Sequence, residues 1–183
     1  NLESIKRFQA WTNIEVDGIK GQITNSKWLS GTIEVTDKLP NELQDINSIV
    51  INKTNKSLTY YVNGQIKYKY PLTLGKNNST PSGKRKVTTK YINPAWGGMN
   101  GKYIPVKGGS PNNPLGYRWI GIGGDYGIHG NNEKWNIGKY VSHGCIRMYN
   151  NDVEHIFPEV IIGTQVWIGT NSELNKWGVY QYN

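Results

Sequence analysis

The chain has 183 residues with a formal net charge of +8, and 36% of its residues are hydrophobic and 19% charged, which excludes a disordered polypeptide and suits a globular protein. Its longest apolar run, EVIIGTQVWIG, is far shorter than the roughly 20 residues of a membrane span, so we expect no transmembrane segment. The positive charge predicts attraction to polyanions, but no Lys/Arg block is dense enough for a nucleic-acid arm, and we expect no nucleic-acid partner.

The first 35 residues predict a small helical segment. Leu2, Ile5 and Phe8 have helical spacing, and an Asp-Gly turn separates them from a second short apolar stretch, so we expect helix, loop and helix. The chain begins without a methionine or an export signal, which indicates a piece of a longer protein.

A change in composition follows at residues 36–46. This stretch is polar, contains Pro40 and has no periodicity, so we interpret it as a linker between domains. The main domain is then expected over residues 47–169. The last segment, residues 170–183, is treated as a C-terminal tail without assigned structure.

The main domain opens with a predicted β-hairpin. Apolar residues alternate from Leu58 to Val62 and again from Ile66 to Tyr70, and an Asn-Gly pair lies between the two runs. Alternation around Asn-Gly is the strongest short-range hairpin signal, and it places the apolar set on one face.

A further alternating strand through Val87 and Tyr91 leads into a long loop. Residues 93–115 contain too many Gly, Pro and Asn for a continuous element. Loops of this length are often lids or binding loops, so Trp96 and Tyr103 are candidate substrate contacts. Aromatic residues that simply pin the loop to the core are an equally good interpretation.

The remaining elements follow from short patterns. A strand ends at His129, a short amphipathic helix is predicted from Asn150 as its N-cap to Val160, and TQVWIG closes the domain as a strand.

Cys145 is the only cysteine, and two of the three histidines, His129 and His143, lie within 16 residues of it. A single cysteine forms no internal disulfide, so it is a packed core thiol, a chance survivor or a nucleophile. An imidazole that removes the thiol's proton is a standard way to activate a cysteine, and the concentration of histidines favours this chemistry.

The residues beside the cysteine also suit acyl chemistry. Gly144 is expected to leave the backbone N–H groups of residues 143–145 free to converge on a developing oxyanion. Ser142 adds a hydroxyl, and Arg147 adds a fixed positive charge for a substrate carboxylate or a structural ion pair.

Spacing alone leaves the identity of the base open. In an extended chain His143 and Cys145 face the same way, whereas a hairpin between two strands would bring His129 across to the cysteine. A zinc site made of these three residues lacks a fourth ligand and is disfavoured. His155 on the last helix is interpreted as structural.

The segment IHGNNEKWNIGKYVSHGCIRM resembles the signature of the L,D-transpeptidase catalytic domain of the YkuD type. TPSGKRKV, INPAW, LTYYVNGQ and GTQVWI are similar to further segments of that family, so the resemblance spans about residues 47–168. The N-terminal pattern from Phe8-Gln9 to Thr24 resembles the second half of a helical peptidoglycan-binding module, without the first helix of that module.

The resemblance implies a role for each residue that matches the motif. Cys145 would be the nucleophile, and His129 the general base, oriented by the backbone carbonyl of Gly130. His143 would shape the oxyanion and substrate pocket together with Gly144, Ser142 and Arg147. Glu133, Lys134 and Trp135 stand where the family often has small residues and proline, which leaves donor and acceptor preference open.

The resemblance also implies a fold, an activity and partners. We expect a mainly β, sandwich-like catalytic fold with a short helix, behind a partial α-helical N-terminal module. The implied reaction is 3→3 cross-linking of peptidoglycan stem peptides through a cysteine acyl-enzyme, without metal or organic cofactor. Carbapenem-type β-lactams would be inhibitors, and the location would be extracytoplasmic, at a bacterial cell wall or surface. An L,D-carboxypeptidase and a non-catalytic wall-binding protein are the alternatives.

Overall fold

The computed structural model describes residues 1–31 and 34–182; Thr32 and Ile33 of the predicted N-terminal segment and Asn183 of the predicted tail lie outside the described residues. The described chain is mainly β with a few helices. The helices are α1 (Leu2–Trp11), α2 (Gln22–Ser30), α3 (Asn41–Gln44), the single turn α4 (Gly98–Gly101), α5 (Asn150–Ile156) and α6 (Asn171–Lys176). The strands are β1 (Asp37–Lys38), β2 (Ser48–Asn52), β3 (Ser57–Val62), β4 (Gln65–Pro71), β5 (Leu74–Gly75), β6 (Gly83–Lys86), β7 (Thr89–Ile92), β8 (Arg118–Gly121), β9 (Gly127–His129), β10 (Tyr140–Ser142), β11 (Ile146–Arg147), β12 (Gln165–Gly169) and β13 (Tyr180–Gln181).

The described residues form two compact units whose segments alternate along the chain. The first unit comprises residues 1–72, 81–84 and 165–182, and the second comprises residues 73–80 and 85–164. None of the helices in the described part of the chain has the length and apolar character needed to cross a membrane. The sandwich-like arrangement expected from the resemblance stays a prediction.

The centre of the first unit is a five-stranded sheet in the order β4, β3, β2, β12, β6. β2 and β12 are parallel, and all five residues of β2 are buried. Nearly continuous apolar runs are typical of strands covered on both faces, which explains the sequences SIVIN and QVWIG.

The predicted hairpin is confirmed as β3 and β4. Asn63 and Gly64 both have positive φ, as a tight two-residue turn between twisted strands requires. The opposite face is covered too, because Thr59 and Tyr61 are buried as well as Leu58 and Tyr60. Tyr61 belongs to an apolar cluster with Trp167 and residues of α3 and α6, and this cluster covers the second face of the sheet.

The N-terminal segment forms the expected helix, loop and helix, α1 and α2. The Gln9 side chain joins the two: its amide nitrogen donates to Asp17 and Thr24 at 2.6 and 3.1 Å, and its amide oxygen accepts from the N–H of Gly18 at 2.8 Å. The polar residues of the motif on which the peptidoglycan-binding resemblance rests therefore form one hydrogen-bond network.

A buried ion pair connects β4 to β1 within the first unit. The ammonium of Lys69 lies 2.6 Å from the Asp37 carboxylate, and their side chains are 0% and 1% exposed. Lys69 also donates to the side-chain oxygens of Asn13 and Thr59, and Tyr61 donates its hydroxyl to Asp37. Burial lowers the pKa of Lys69, and the Asp37 charge opposes that shift.

Replacing Asp37 by alanine is expected to lower the free energy of unfolding by about 3–5 kcal/mol, because it strands a buried ammonium without a counter-ion. Urea denaturation measures this loss. Glu3→Ala is the matched control, since it breaks the exposed Arg7–Glu3 pair at 2.8 Å and should cost less than about 1 kcal/mol. Equal losses in the two variants would contradict the prediction.

Regular structure also occurs where the sequence analysis assigned none. The predicted linker, residues 36–46, contains β1 and α3, and Leu43 of α3 is fully buried. In the predicted tail, residues 170–183, Thr170 and Glu173 form a capping box at the start of α6, and β13 pairs with β1. The predicted domain boundaries themselves stay predictions.

The second unit contains a four-stranded sheet in the order β11, β9, β8, β7 and a short parallel pair of β5 with β10. The single strand predicted through Val87 is instead interrupted between β6 and β7. The reason is that the Val87 N–H donates to the carbonyl of Thr164, while the next N–H, of Thr88, donates to that of Gly121.

Candidate active site

The sheet of the second unit brings the predicted site residues together. β9 and β11 are adjacent and parallel, with Ile146 opposite Ile128 and Arg147 opposite His129. The hairpin considered between these strands was therefore wrong: the connection includes β10, which pairs with β5 before the chain reaches β11. Parallel neighbours require such a crossover connection.

Cys145, Arg147 and His129 lie near one another at this sheet. Arg147 stands opposite His129, and Cys145 comes two residues before Arg147, just ahead of β11. All three line a cavity of about 890 Å³, together with Trp96 and Tyr103 from the long loop. The rings of these two aromatic residues lie 5.7 Å apart.

His129 is almost completely buried, and a hydrogen bond from its ring nitrogen Nδ1 fixes the imidazole. Nδ1 lies 2.7 Å from the carbonyl oxygen of Gly130, which only accepts, so Nδ1 carries the proton and Nε2 is left with its lone pair. Trp119, which the sequence analysis did not single out, stacks on the imidazole at 5.6 Å. Burial, with the Arg147 charge as a second cause, lowers the pKa of His129 to about 4.

His143 has a different environment. Its side chain is exposed, although the residue contributes to the lining of the cavity. His155, interpreted as structural, is exposed on α5. Within residues 1–31 and 34–182, no group of three or more His, Cys, Asp or Glu residues is placed to hold a metal ion.

Cys145 is the one cysteine of the chain, it is partly buried, and its environment favours the thiol over the thiolate. Burial raises the pKa of Cys145, and the Asp125 charge adds to that shift. The backbone of Gly127 and the Arg147 guanidinium act in the opposite direction. The thiol donates to the carbonyl of Asp125 at 3.6 Å. With His129 also uncharged, the resting pair at neutral pH is a thiol and a neutral imidazole.

The turn before the cysteine differs in part from expectation. The N–H of Gly144 is not free for an oxyanion, because it donates to the Ser142 hydroxyl at 3.2 Å, and that hydroxyl donates to the Cys145 carbonyl at 2.7 Å. Gly144 has a φ of +133°, and a Cβ there would lie 2.6 Å from the Tyr126 ring and 3.0 Å from the Ser79 carbonyl oxygen. Only glycine fits this position.

Arg147 is paired as well as available. Its Nη1 lies 3.8 Å from the Glu133 carboxylate, which also accepts a hydrogen bond from Asn136 at 2.8 Å. The buried Nε of Arg147 has no hydrogen-bond partner within the described residues. Arg147 lines the cavity, so its charge is placed to attract a substrate carboxylate.

Asn150 has a different role from the predicted N-cap. Tyr149 is the N-cap of α5, and the Asn150 side-chain oxygen instead accepts from the Asn131 N–H at 2.9 Å. A Cβ at Gly130 or at Gly116 would lie within 2.3 Å of that oxygen. Asn150 therefore supports the backbone that follows the buried histidine. The sequence analysis assigned Asn150 from its preference for the N-cap position, and this preference contains no information about a contact with Asn131.

Comparison with known proteins points to one family. The model of the YkuD family, described as the L,D-transpeptidase catalytic domain, matches residues 46–168. YqjB of Bacillus subtilis, which carries the name L,D-transpeptidase, is 40% identical over 127 residues, 66% of this chain and 69% of YqjB. YbiS of Escherichia coli, also so named, is 36% identical over 131 residues, 64% of this chain and 43% of YbiS. The chain thus spans less than half the length of YbiS.

Solved structures share the fold. The L,D-transpeptidase from Xylanimonas cellulosilytica superposes with a TM-score of 0.67 at 17% identity, covering 92% of this chain and 79% of that one. The L,D-transpeptidase LdtMt1 in complex with imipenem superposes with a TM-score of 0.56 at 20% identity, covering 68% and 59%.

Proposed function

Because the chain belongs to the YkuD family of L,D-transpeptidase catalytic domains, we propose that it is a cysteine-dependent L,D-transpeptidase that forms 3→3 cross-links in peptidoglycan. The observation that carries the proposal is that Cys145, His129 and Arg147 line one cavity of about 890 Å³. This arrangement offers a nucleophile, a base and a cationic anchor to one substrate.

The first step is acylation of Cys145. His129 Nε2 takes the thiol proton while Sγ attacks the carbonyl of the third stem residue, an L-centre followed by D-Ala. The backbone N–H of Cys145 is the oxyanion donor, because that of Gly144 is used within the turn. The tetrahedral intermediate collapses to a thioester, and D-Ala leaves with the proton that His129 returns.

The second step transfers the acyl group. An amine of a neighbouring stem attacks the thioester, His129 removes the amine proton, and the Cys145 sulfur leaves and is reprotonated. The products are an amide cross-link and the free enzyme, and neither step needs a metal or an organic cofactor. Water in place of the amine would give the L,D-carboxypeptidase reaction.

The other cavity residues are assigned to substrate binding. Arg147 suits a stem carboxylate, Trp96 and Tyr103 suit the apolar parts of the donor, and exposed His143 contributes to the pocket wall. A carbapenem presents a strained carbonyl to the same sulfur, and the imipenem complex of LdtMt1 supports this class of inhibitor.

The proposed substrate places the protein outside the cytoplasm, at a bacterial cell wall or surface. We assign wall binding to the N-terminal segment as a partial peptidoglycan-binding module. The support for this assignment is the Gln9 network, which unites Asp17, Gly18 and Thr24 of the motif. The net charge of +8 suits acidic wall polymers.

Incubation with a stem tetrapeptide and a second stem as amine donor is expected to give a cross-linked dimer and one equivalent of free D-Ala, measured by mass spectrometry. A tetrapeptide with L-Ala in the fourth position is the matched control and should give neither product. Tripeptide without any dimer would replace the transferase by a carboxypeptidase, and an unchanged tetrapeptide would favour a wall-binding protein.

A further inference from the structure

Thr80 contacts the turn formed by residues 142–145, which ends at the proposed nucleophile Cys145. Its hydroxyl accepts from the N–H of Gly75 at 2.8 Å and donates to the carbonyl of Gly144 at 2.9 Å. The residue is 1% exposed, so water cannot easily replace either bond. An N–H only donates and a carbonyl only accepts, so the direction of the hydroxyl proton is determined by its two partners.

The carbonyl that Thr80 binds belongs to the same peptide unit as the proposed oxyanion donor. The C=O of Gly144 and the N–H of Cys145 lie in one planar trans peptide and point in opposite directions. Holding the carbonyl towards Thr80 therefore aims the N–H of Cys145 in the opposite direction, away from Thr80.

This peptide unit needs an external restraint. Gly144 has no Cβ and a φ of +133°, so rotation of the following peptide costs little by itself. The Ser142 hydroxyl binds the N–H of Gly144 and the carbonyl of Cys145, but these groups flank the peptide in question and do not belong to it. Thr80 is the described side chain that binds it directly.

The surrounding packing keeps Thr80 against the turn. β5 and β10 are parallel, with Gly75 opposite Ser142. A Cβ at Gly75 would lie 2.7 Å from the Thr80 nitrogen and 3.0 Å from the Gly144 Cα. Because both positions are glycine, the backbones at residues 75 and 144 come close enough for the single hydroxyl of Thr80 to bridge them.

We propose that Thr80 is a positioning residue that orients the Cys145 N–H as the oxyanion donor of the acyl-transfer reaction. The inference rests on the proposed function and adds a residue to it. Thr80 touches neither the sulfur nor the substrate; it acts through the Gly144–Cys145 peptide. Its loss should therefore impair steps that develop an oxyanion and leave other reactions of the thiol intact.

Two reagents separate these steps. Imipenem acylates Cys145 through a tetrahedral oxyanion: the S–C bond forms, the β-lactam C–N bond breaks, and the ring nitrogen takes the thiol proton. Iodoacetamide alkylates the same sulfur by direct displacement of iodide and develops no oxyanion. For Thr80→Val we expect imipenem acylation to slow by about 10- to 100-fold and alkylation to change by less than about threefold. Thr80→Ser, which keeps the hydroxyl, should restore acylation to near the wild-type rate.

Each outcome decides between specific alternatives. Equal acylation rates for Thr80→Val and wild type would overturn the inference, as would parallel losses in acylation and alkylation or a serine variant as slow as the valine variant. If the valine variant does not fold, Thr80→Ala, which also lacks the hydroxyl, is measured in the same way. A wild-type protein that is alkylated but never acylated would overturn the proposed function, and the inference with it.

Discussion

Replacing Cys145 by alanine is expected to abolish both cross-link formation and covalent addition of imipenem. Every bond-making step of the proposed mechanism passes through this sulfur, and the chain contains no second cysteine. Intact-mass measurement should show wild-type protein heavier by one whole imipenem molecule, since ring opening expels no fragment, and the alanine variant unchanged. The loss of turnover should be complete within detection.

The alanine variant also tests the assignment of the nucleophile. Thermal unfolding near the wild-type temperature is the necessary control, because Cys145 is only partly buried and its truncation removes a single sulfur. A mass shift that persists in Cys145→Ala would show that another group reacts with the antibiotic. An unmodified wild-type protein under the same conditions would contradict the mechanism itself.

Replacing His129 by glutamine is expected to slow imipenem acylation by about 10²- to 10⁴-fold at pH 7. Burial raises the pKa of Cys145, so the thiolate is scarce at neutral pH and the reaction depends on a base. The imidazole of His129 is uncharged at that pH because its pKa is lowered to about 4. Glutamine has the size and polarity to remain in the site but cannot take a proton.

The pH dependence distinguishes a base from a structural residue. Wild-type acylation should persist down to mildly acidic pH and fall as the pH drops through about 4, where His129 becomes protonated. In His129→Gln the rate should instead rise steadily with pH as hydroxide ionises the thiol. Rates between pH 3 and 10, with a refolding check at the acid end, supply both profiles.

Two other histidines serve as comparisons for this variant. His155→Gln should acylate at the wild-type rate, because the residue is exposed on α5 and does not line the cavity. His143→Gln should be slower by less than about tenfold, as expected for a pocket residue. A His143 variant as impaired as His129→Gln, with the same pH profile, would move the base to His143.

The elements that the sequence analysis identified correctly have local signals. The Asn63-Gly64 turn and the alternation around it depend on residues adjacent in the chain, and the structure confirms the hairpin. A capping box of Thr170 and Glu173 was also present in the sequence and would have revealed α6. That signal was missed because no long periodic run accompanied it.

Strand pairing and side-chain contacts between distant segments could not be predicted from local sequence patterns. The strand after Cys145 would have the same alternating side-chain pattern beside a parallel or an antiparallel partner. The sequence therefore could not distinguish a hairpin from a crossover connection. The contacts of Thr80, Trp119 and Asn150 arise from strands and turns far apart in sequence. Cys145 and the histidines near it stood out as candidates because these residue types are rare in the chain, and only the family resemblance favoured His129 as the base. The residues that hold them are common types.

The buried ammonium of Lys69 has a practical consequence for shortened versions of the protein. The family model matches residues 46–168. Asn13 and Asp37, which bind Lys69, precede that range. Gln181, which donates to the Tyr61 hydroxyl beside them, follows it. A fragment cut at the family boundaries would expose or strand this charge, so inhibitor screening should use a protein that retains residues 13–181.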